Sequence, residues 1–136
     1  MHKFKELTVW QKAVDLAVDI YKITRTFPGE EKFGLVSQIN RCGISIPSNI
    51  AEGAGRNTDG EFKHFLGIST GSAFELETQL IIANKLGYIE NEALNIVVKK
   101  INDVQNMTFG LQKTLNTGTK YDVGNKVLST KNQNEN

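Results

Sequence analysis

Apolar residues recur at every third or fourth position through most of the chain, and this spacing predicts four amphipathic helices. The first covers about residues 7–27 and carries two adjacent apolar stripes. The first stripe is Leu7, Trp10, Val14, Ala17 and Tyr21, and the second is Val9, Ala13, Leu16, Ile20, Ile23 and Phe27. A helix that packs once on a core needs an apolar arc of only about 100°. The additional apolar surface predicts that something beyond one core covers this helix, and a neighbouring subunit is the simplest candidate.

The second predicted helix covers about residues 31–55 and has one apolar stripe. The stripe is Leu35, Ile39, Cys42, Ile46 and Ile50. Pro47 has no amide hydrogen for the carbonyl of Gly43, so we expect a kink there rather than a break. The run 53–55, Gly-Ala-Gly, is expected to end the helix.

The third predicted helix follows a capping box formed by Thr58 and Glu61 and extends to a turn around Gly87. Its centre contains Gly67 and Gly71, each of which costs roughly 1 kcal/mol of helix propensity. We therefore expect another helix to approach closely at these two glycines.

The fourth predicted helix, residues 91–115, has the clearest heptad spacing. Its seam is Leu94, Val97, Ile101, Val104, Thr108, Leu111 and Leu115. Residues 116–136 are polar and are predicted to form a disordered tail. Four long helices with short connections predict an all-α protein, in which residues 1–115 form one domain, an up-down-up-down antiparallel four-helix bundle.

Composition removes several classes of chemistry. Sixteen basic and fifteen acidic residues give a formal net charge of +1, which argues against binding nucleic acid by bulk charge. One cysteine, Cys42, excludes an internal disulfide and a cysteine-based zinc site. Glu61 and His64 have the spacing of a di-iron ligand pair, but such a site needs a second pair, and the only other histidine is His2. We expect no metal, no cofactor and no enzymatic activity.

No signal-peptide pattern and no apolar run of about 20 residues is visible, so we expect a cytoplasmic protein without a membrane partner. No small-molecule substrate is indicated either. An enzyme would need carboxylates such as Glu52, Glu75 and Glu77 to converge in one pocket, and nothing in the spacing places them together.

Polar residues at helical spacing form a ridge along the second helix. The ridge is Gln38, Arg41, Ser45, Asn49 and Glu52. The third helix offers Ser72, Glu75 and Gln79 at matching spacing, and antiparallel packing would bring Glu75 towards Arg41. The ridge is either a hydrogen-bonded network that fixes helix register or subunit orientation, or a recognition surface for RNA, DNA or protein.

Basic residues outside the ridge are the other candidates for binding, because a local patch can act even when the net charge is small. These candidates are Arg56, Lys63, Lys85, Lys99 and Lys100.

A family resemblance rests on residues 45–53, Ser-Ile-Pro-Ser-Asn-Ile-Ala-Glu-Gly. It also includes Gln38 and Arg41 before this segment and residues 71–73, Gly-Ser-Ala, after it. From about residue 4 to 115 the chain resembles the four-helix-bundle family of the bacterial 23S rRNA intervening-sequence protein. The accessory variability proteins of diversity-generating retroelements are related to it. The resemblance implies a barrel-like homopentamer without enzymatic activity. It also implies association with nucleic acid, since members are encoded within insertions in large-subunit ribosomal RNA genes or beside reverse transcriptases.

Together these observations predict a non-enzymatic oligomeric bundle that binds structured RNA or a ribonucleoprotein. Arg41 and Arg56 would contact phosphate or acidic partner groups. The residues expected to fix their geometry are Gln38, Asn49, Glu52 and Glu75. The alternative is a protein-only scaffold or adaptor whose pentamer binds another protein.

Overall fold

The computed structural model describes residues 1–115, and every regular element within them is a helix. The four α-helices are α1 (Thr8–Thr24), α2 (Leu35–Ala54), α3 (Asp59–Lys85) and α4 (Asn91–Thr114), and 3₁₀ turns lie at Phe4–Glu6 and Gly29–Glu31. The prediction of an all-α, four-helix chain is therefore confirmed. The tail predicted for residues 116–136 lies outside the described residues.

Side chains mark where α3 and α2 begin. The Thr58 hydroxyl accepts a hydrogen bond from the amide of Glu61 at 3.1 Å, so the predicted cap starts α3. The predicted start of the second helix at residue 31 is wrong by four residues. Glu31 instead lies in the preceding 3₁₀ turn, and its carboxylate accepts from the amide of Leu35 at 3.2 Å.

The end of α3 is a Schellman motif. Gly87 has a φ of 84°, the left-handed conformation that favours glycine. The amide of Tyr88 donates to the carbonyl of Ala83 at 2.9 Å, and the amide of Gly87 donates to Asn84 at 3.0 Å. The predicted turn at this position is therefore confirmed.

Each helix packs on two others, α1 and α3 both lying against α2 and α4. The core consists mainly of aliphatic side chains. Its fully buried members include Leu16, Ile20, Ile39, Ile46, Ile50, Phe62, Leu66, Leu76, Leu80 and Ile101. The second apolar stripe of α1 faces this core, whereas the first stripe is half-buried or exposed. Leu7 and Trp10 of the first stripe also pack against this core, whereas Tyr21 of the same stripe is exposed.

Contacts between α2 and α3 fix the relative direction of these two helices. Cys42 contacts Glu75, Ser45 contacts Ser72, and Ile46 contacts Ser69. Because the numbers rise along α2 as they fall along α3, the two helices are antiparallel. The up-down-up-down order of all four helices stays a prediction.

Helix α2 continues through Pro47 to Ala54, so the proline does not break it, as expected. The hydroxyl of Ser69 donates to the carbonyl of Ile46 at 3.0 Å, next to the proline. The end of α2 is where the sequence placed it. The C-cap residue, Gly55, has a φ of −84°, so α2 ends without a left-handed residue.

The close approach of helices occurs on α2, not in the centre of α3. A Cβ on Gly53 would lie 2.8 Å from both Phe62 Cδ1 and Phe65 Cβ, so α3 leaves no room for a side chain there. By contrast, a Cβ on Gly71 would meet no atom within 4 Å, and one on Gly67 only Gln112 Nε2, at 3.8 Å. Within one subunit the predicted close approach at Gly67 and Gly71 is wrong.

Candidate functional site

The middle of the predicted ridge is an inter-helix hydrogen-bond network. The hydroxyls of Ser45 and Ser72 lie 2.7 Å apart across the α2–α3 contact. The amide of Asn49 donates to the carbonyl and the hydroxyl of Ser45, at 2.8 and 2.9 Å. These side chains satisfy one another, and each such hydrogen bond contributes about 1 kcal/mol net. Ser45, Asn49 and Ser72 therefore hold α2 and α3 in register.

The upper part of the ridge opens into a cleft between α2 and α3 with a volume of about 480 Å³. The lining residues are Gln38, Arg41, Cys42, Phe74, Glu75, Thr78 and Gln79. Arg41 and Glu75 share this cleft, as antiparallel packing predicted, but within residues 1–115 they form no ion pair. Gln38 and Arg41 are exposed and available to a partner.

Cys42 lies in the wall of this α2–α3 cleft and is only 8% exposed. Its thiol donates to a carboxylate oxygen of Glu75 at 3.6 Å. Burial raises the pKa of the Cys42 thiol, and the negative charge of Glu75 raises it further. Because the thiolate is the nucleophilic form, this position disfavours covalent chemistry at Cys42.

The lower end of the ridge is occupied by a different interaction. Arg56 Nη2 lies 2.8 Å from Glu52 Oε2, one helical turn away. Its guanidinium also stacks over the ring of Phe65, 4.7 Å from the ring centroid. Arg56 thus connects the end of α2 to the start of α3, whereas Arg41 has no such partner among residues 1–115.

The lysines predicted as a local patch lie at separate places. Lys100 Nζ is 2.7 Å from Asp19 Oδ2 and joins α4 to α1, and Lys99 is 3.7 Å from Asp103 on its own helix. Lys63 lines a different cleft from Lys100. Lys63 and Lys100 therefore do not line a common cleft, and a patch that joins these lysines stays a prediction.

The Lys63 cleft lies between the start of α3 and the end of α4 and has a volume of about 520 Å³. Its lining is Lys63, Asn106, Phe109, Gly110, Gln112 and Lys113. The amide of Gln112 donates to the carbonyl of Lys63 at 3.1 Å and so ties the two walls together. Phe109 and Lys113 were not among the residues predicted from the sequence. Their signal was an aromatic and a lysine four positions apart, off the apolar seam of the helix.

Helix α3 also carries exposed apolar side chains. We define the α3 apolar face as Ile68, Phe74, Ile81 and Ile82, each more than a third exposed. Phe74 is the most exposed of them, at 55%. Since the opposite side of α3 is buried in the core, the helix is apolar on both sides. Exposed apolar side chains on a helix whose other side is already buried are typical of an interaction site.

Comparisons with known proteins identify relatives of the whole bundle. A family model described as 23S rRNA-intervening sequence protein matches residues 5–110. The structure is similar to that of a protein of unknown function from the S23 ribosomal protein family of Bacteroides thetaiotaomicron. The two share 26% sequence identity with a TM-score of 0.71, over 79% of this chain and 100% of the other. A search of curated proteins gives no match.

Proposed function

The chain belongs to the 23S rRNA-intervening sequence protein family, and from this premise we propose that it is a non-enzymatic, oligomeric bundle that associates with structured RNA or a ribonucleoprotein. The observation that carries the proposal is the family match over residues 5–110, whose description names a ribosomal RNA. The similar solved structure is described as belonging to a ribosomal protein family, which supports the same class of partner.

The charge distribution supports contact through local groups. A net charge of +1 gives no bulk attraction to phosphate. Arg41, Lys63 and Lys113 nevertheless are cations that form no ion pair within residues 1–115, and each of them lines a cleft. A planar guanidinium such as that of Arg41 binds phosphate through two parallel hydrogen bonds. RNA contact therefore depends on where these groups lie rather than on their number.

The α3 apolar face supports assembly with other copies of the chain. Open space beside Gly71 lets a neighbouring backbone approach, and the half-buried first stripe of α1 adds further apolar surface. We propose that up-down-up-down bundles join through these surfaces as the homopentamer implied by the family resemblance. Repetition of a weak RNA site in one assembly raises the overall affinity through effective concentration.

Glu52 and Glu75, two of the three carboxylates that an enzyme would have to bring together, are engaged in separate interactions, which supports a non-enzymatic role. Glu52 pairs with Arg56, and Glu75 accepts from the protonated thiol of Cys42. No group of three or more His, Cys, Asp and Glu residues within residues 1–115 has the geometry to hold a metal ion.

None of the helices over the same residues is long and apolar enough to cross a membrane. An RNA partner fits the cytoplasmic location expected from the sequence.

A protein-only scaffold is the second candidate, because the α3 apolar face suits a protein partner as well as another copy of the chain. The two candidates differ in what the purified assembly retains. A scaffold retains a defined protein and shows no affinity for RNA.

Salt titration of RNA binding tests the proposal. The full chain should bind an RNA hairpin with a single-stranded loop, measured by fluorescence anisotropy at increasing salt. We expect the logarithm of the association constant to fall linearly with the logarithm of salt concentration, with a slope of about −0.7 per phosphate contacted. No binding at low salt, or binding that salt does not weaken, contradicts the proposal.

Arg41→Ala in the same titration separates a binding role from a structural one. Because Arg41 is exposed and unpaired in the described chain, we expect weaker RNA binding and an unchanged melting temperature. Arg25→Ala is the matched control, since Arg25 is an exposed arginine at the end of α1, outside the α2–α3 cleft. A lower melting temperature with unchanged RNA binding would instead make Arg41 structural.

A further inference from the structure

The Lys63 cleft differs in charge from two other clefts in the described part of the chain. The α2–α3 cleft contains the carboxylate of Glu75. The groove between α1 and α4 contains Asp15, Asp19 and Asp103. The described lining of the Lys63 cleft has two lysines and no carboxylate. Of the three, it is the one in which a polyanion meets no fixed negative charge.

Both lysine ammonium groups of this cleft are available. Within residues 1–115, neither Lys63 nor Lys113 has a carboxylate oxygen within 4.0 Å. By comparison, Lys99 and Lys100 on the same helix as Lys113 are paired with aspartates. A phosphate that binds Lys63 and Lys113 therefore has no internal ion pair to break.

Phe109 provides an aromatic surface in the lining that also contains the two lysines. It is 42% exposed and lines the cleft, where Gly110 next to it adds no side chain. Stacking of an unpaired base on an aromatic ring contributes about 1–3 kcal/mol and tolerates any base. A base held inside a duplex cannot stack in this way, so the ring selects single-stranded segments.

Two amide side chains, those of Gln112 and Asn106, add hydrogen-bonding groups to the cleft. Gln112 uses one amide hydrogen on the carbonyl of Lys63, which fixes the side chain and leaves its second hydrogen for a ligand. Asn106 is exposed on the same wall. The volume of about 520 Å³ lies within the range of about 300–1,000 Å³ typical of ligand sites.

We propose that the Lys63 cleft is the site that holds a single-stranded segment of RNA. One unpaired base stacks on Phe109, while the flanking phosphates bind Lys63 and Lys113. The inference rests on the proposed function and adds the location and the type of RNA. It places recognition in a loop, bulge or end of a structured RNA rather than in its paired stem.

The test uses the full chain with two RNA probes, a hairpin with a single-stranded loop and a fully paired duplex of the same length. Phe109→Leu removes the ring and keeps an apolar side chain, and we expect it to weaken hairpin binding about tenfold. Lys63→Gln combined with Lys113→Gln should reduce the salt slope by roughly 1.4, the value for two phosphate contacts. All these positions are at least partly exposed, and thermal melting confirms that each variant is folded.

Phe33 and Lys32 provide the matched control. Phe33 is 88% exposed with Lys32 Nζ 5.4 Å from its ring centroid, so the same residue types occur together outside the described lining of any of the three clefts. Phe33→Leu and Lys32→Gln should leave hairpin binding unchanged. If the cleft variants bind the hairpin as tightly as the wild type, the cleft assignment alone is overturned. If the wild type binds neither probe, the proposed function and the cleft assignment are both overturned. If Phe109→Leu weakens binding of the duplex as much as binding of the hairpin, base stacking is overturned.

Discussion

Gly53→Ala should destabilise the protein by about 2–3 kcal/mol, although alanine favours a helix over glycine by about 1 kcal/mol. The added Cβ would lie 2.8 Å from Phe62 Cδ1 and Phe65 Cβ and 3.2 Å from the carbonyl oxygen of Phe62. Phe62 is fully buried, and a backbone oxygen cannot rotate away, so α3 must shift as a unit. Urea denaturation measures the change, and we expect the melting temperature to fall by roughly 10 °C.

Gly55→Ala is the control for this prediction because it makes the same substitution two residues later. There the nearest atoms to the new Cβ are backbone oxygens at 3.7 Å, an ordinary contact distance. We expect a change of less than about 0.5 kcal/mol, as at most surface positions. Equal effects of the two substitutions would show that α2 and α3 do not meet closely at Gly53.

Phe74→Glu should convert the assembly into monomers. Phe74 is the most exposed member of the α3 apolar face, so in a lone subunit a carboxylate at this position is hydrated and costs little. In the proposed assembly the same carboxylate would be buried against another copy without a partner, which costs several kcal/mol at each interface. Light scattering should show the mass of one chain for the variant and a multiple of it for the wild type.

Phe33→Glu tests whether this loss depends on the α3 apolar face. Phe33 is 88% exposed and lies before α2, so the same change of charge should leave the assembly intact. Circular dichroism should show unchanged helix content for both variants. A monomeric wild type, or a Phe74→Glu variant that keeps the wild-type mass, would remove the α3 apolar face from the assembly.

The spacing of apolar residues was sufficient to predict the four helices, because burial of one side of a helix leaves a periodic trace in the sequence. The start of a helix, by contrast, can depend on a single hydrogen bond, as it does in α2. The carboxylate of Glu31 caps α2 from outside the helix, and no periodicity reveals such a contact. The same limit applies to glycines, whose role depends on which helix crosses them. Gly53 meets α3 closely, whereas Gly71 faces open space.

A candidate site was predictable from the sequence where it lies between two helices that are consecutive in the chain. Matching polar positions on the second and third helices predicted that Glu75 lies towards Arg41, and the two residues do line one cleft. They did not single out the contact between Ser45 and Ser72. The pairing of Lys100 with Asp19 could not be predicted, since it joins residues 81 positions apart on helices whose rotation is set by the whole core. For the same reason the sequence did not reveal that Phe109 and Lys63 line one cleft.

Native purification of the protein tests the central claim, association with RNA, most directly. The full chain, isolated from its own cells at low salt, should carry RNA that ribonuclease removes and that high salt releases. Because the net charge is only +1, retained RNA cannot be attributed to bulk attraction. An oligomer that carries no RNA, or that carries only a protein unaffected by ribonuclease, would contradict the account.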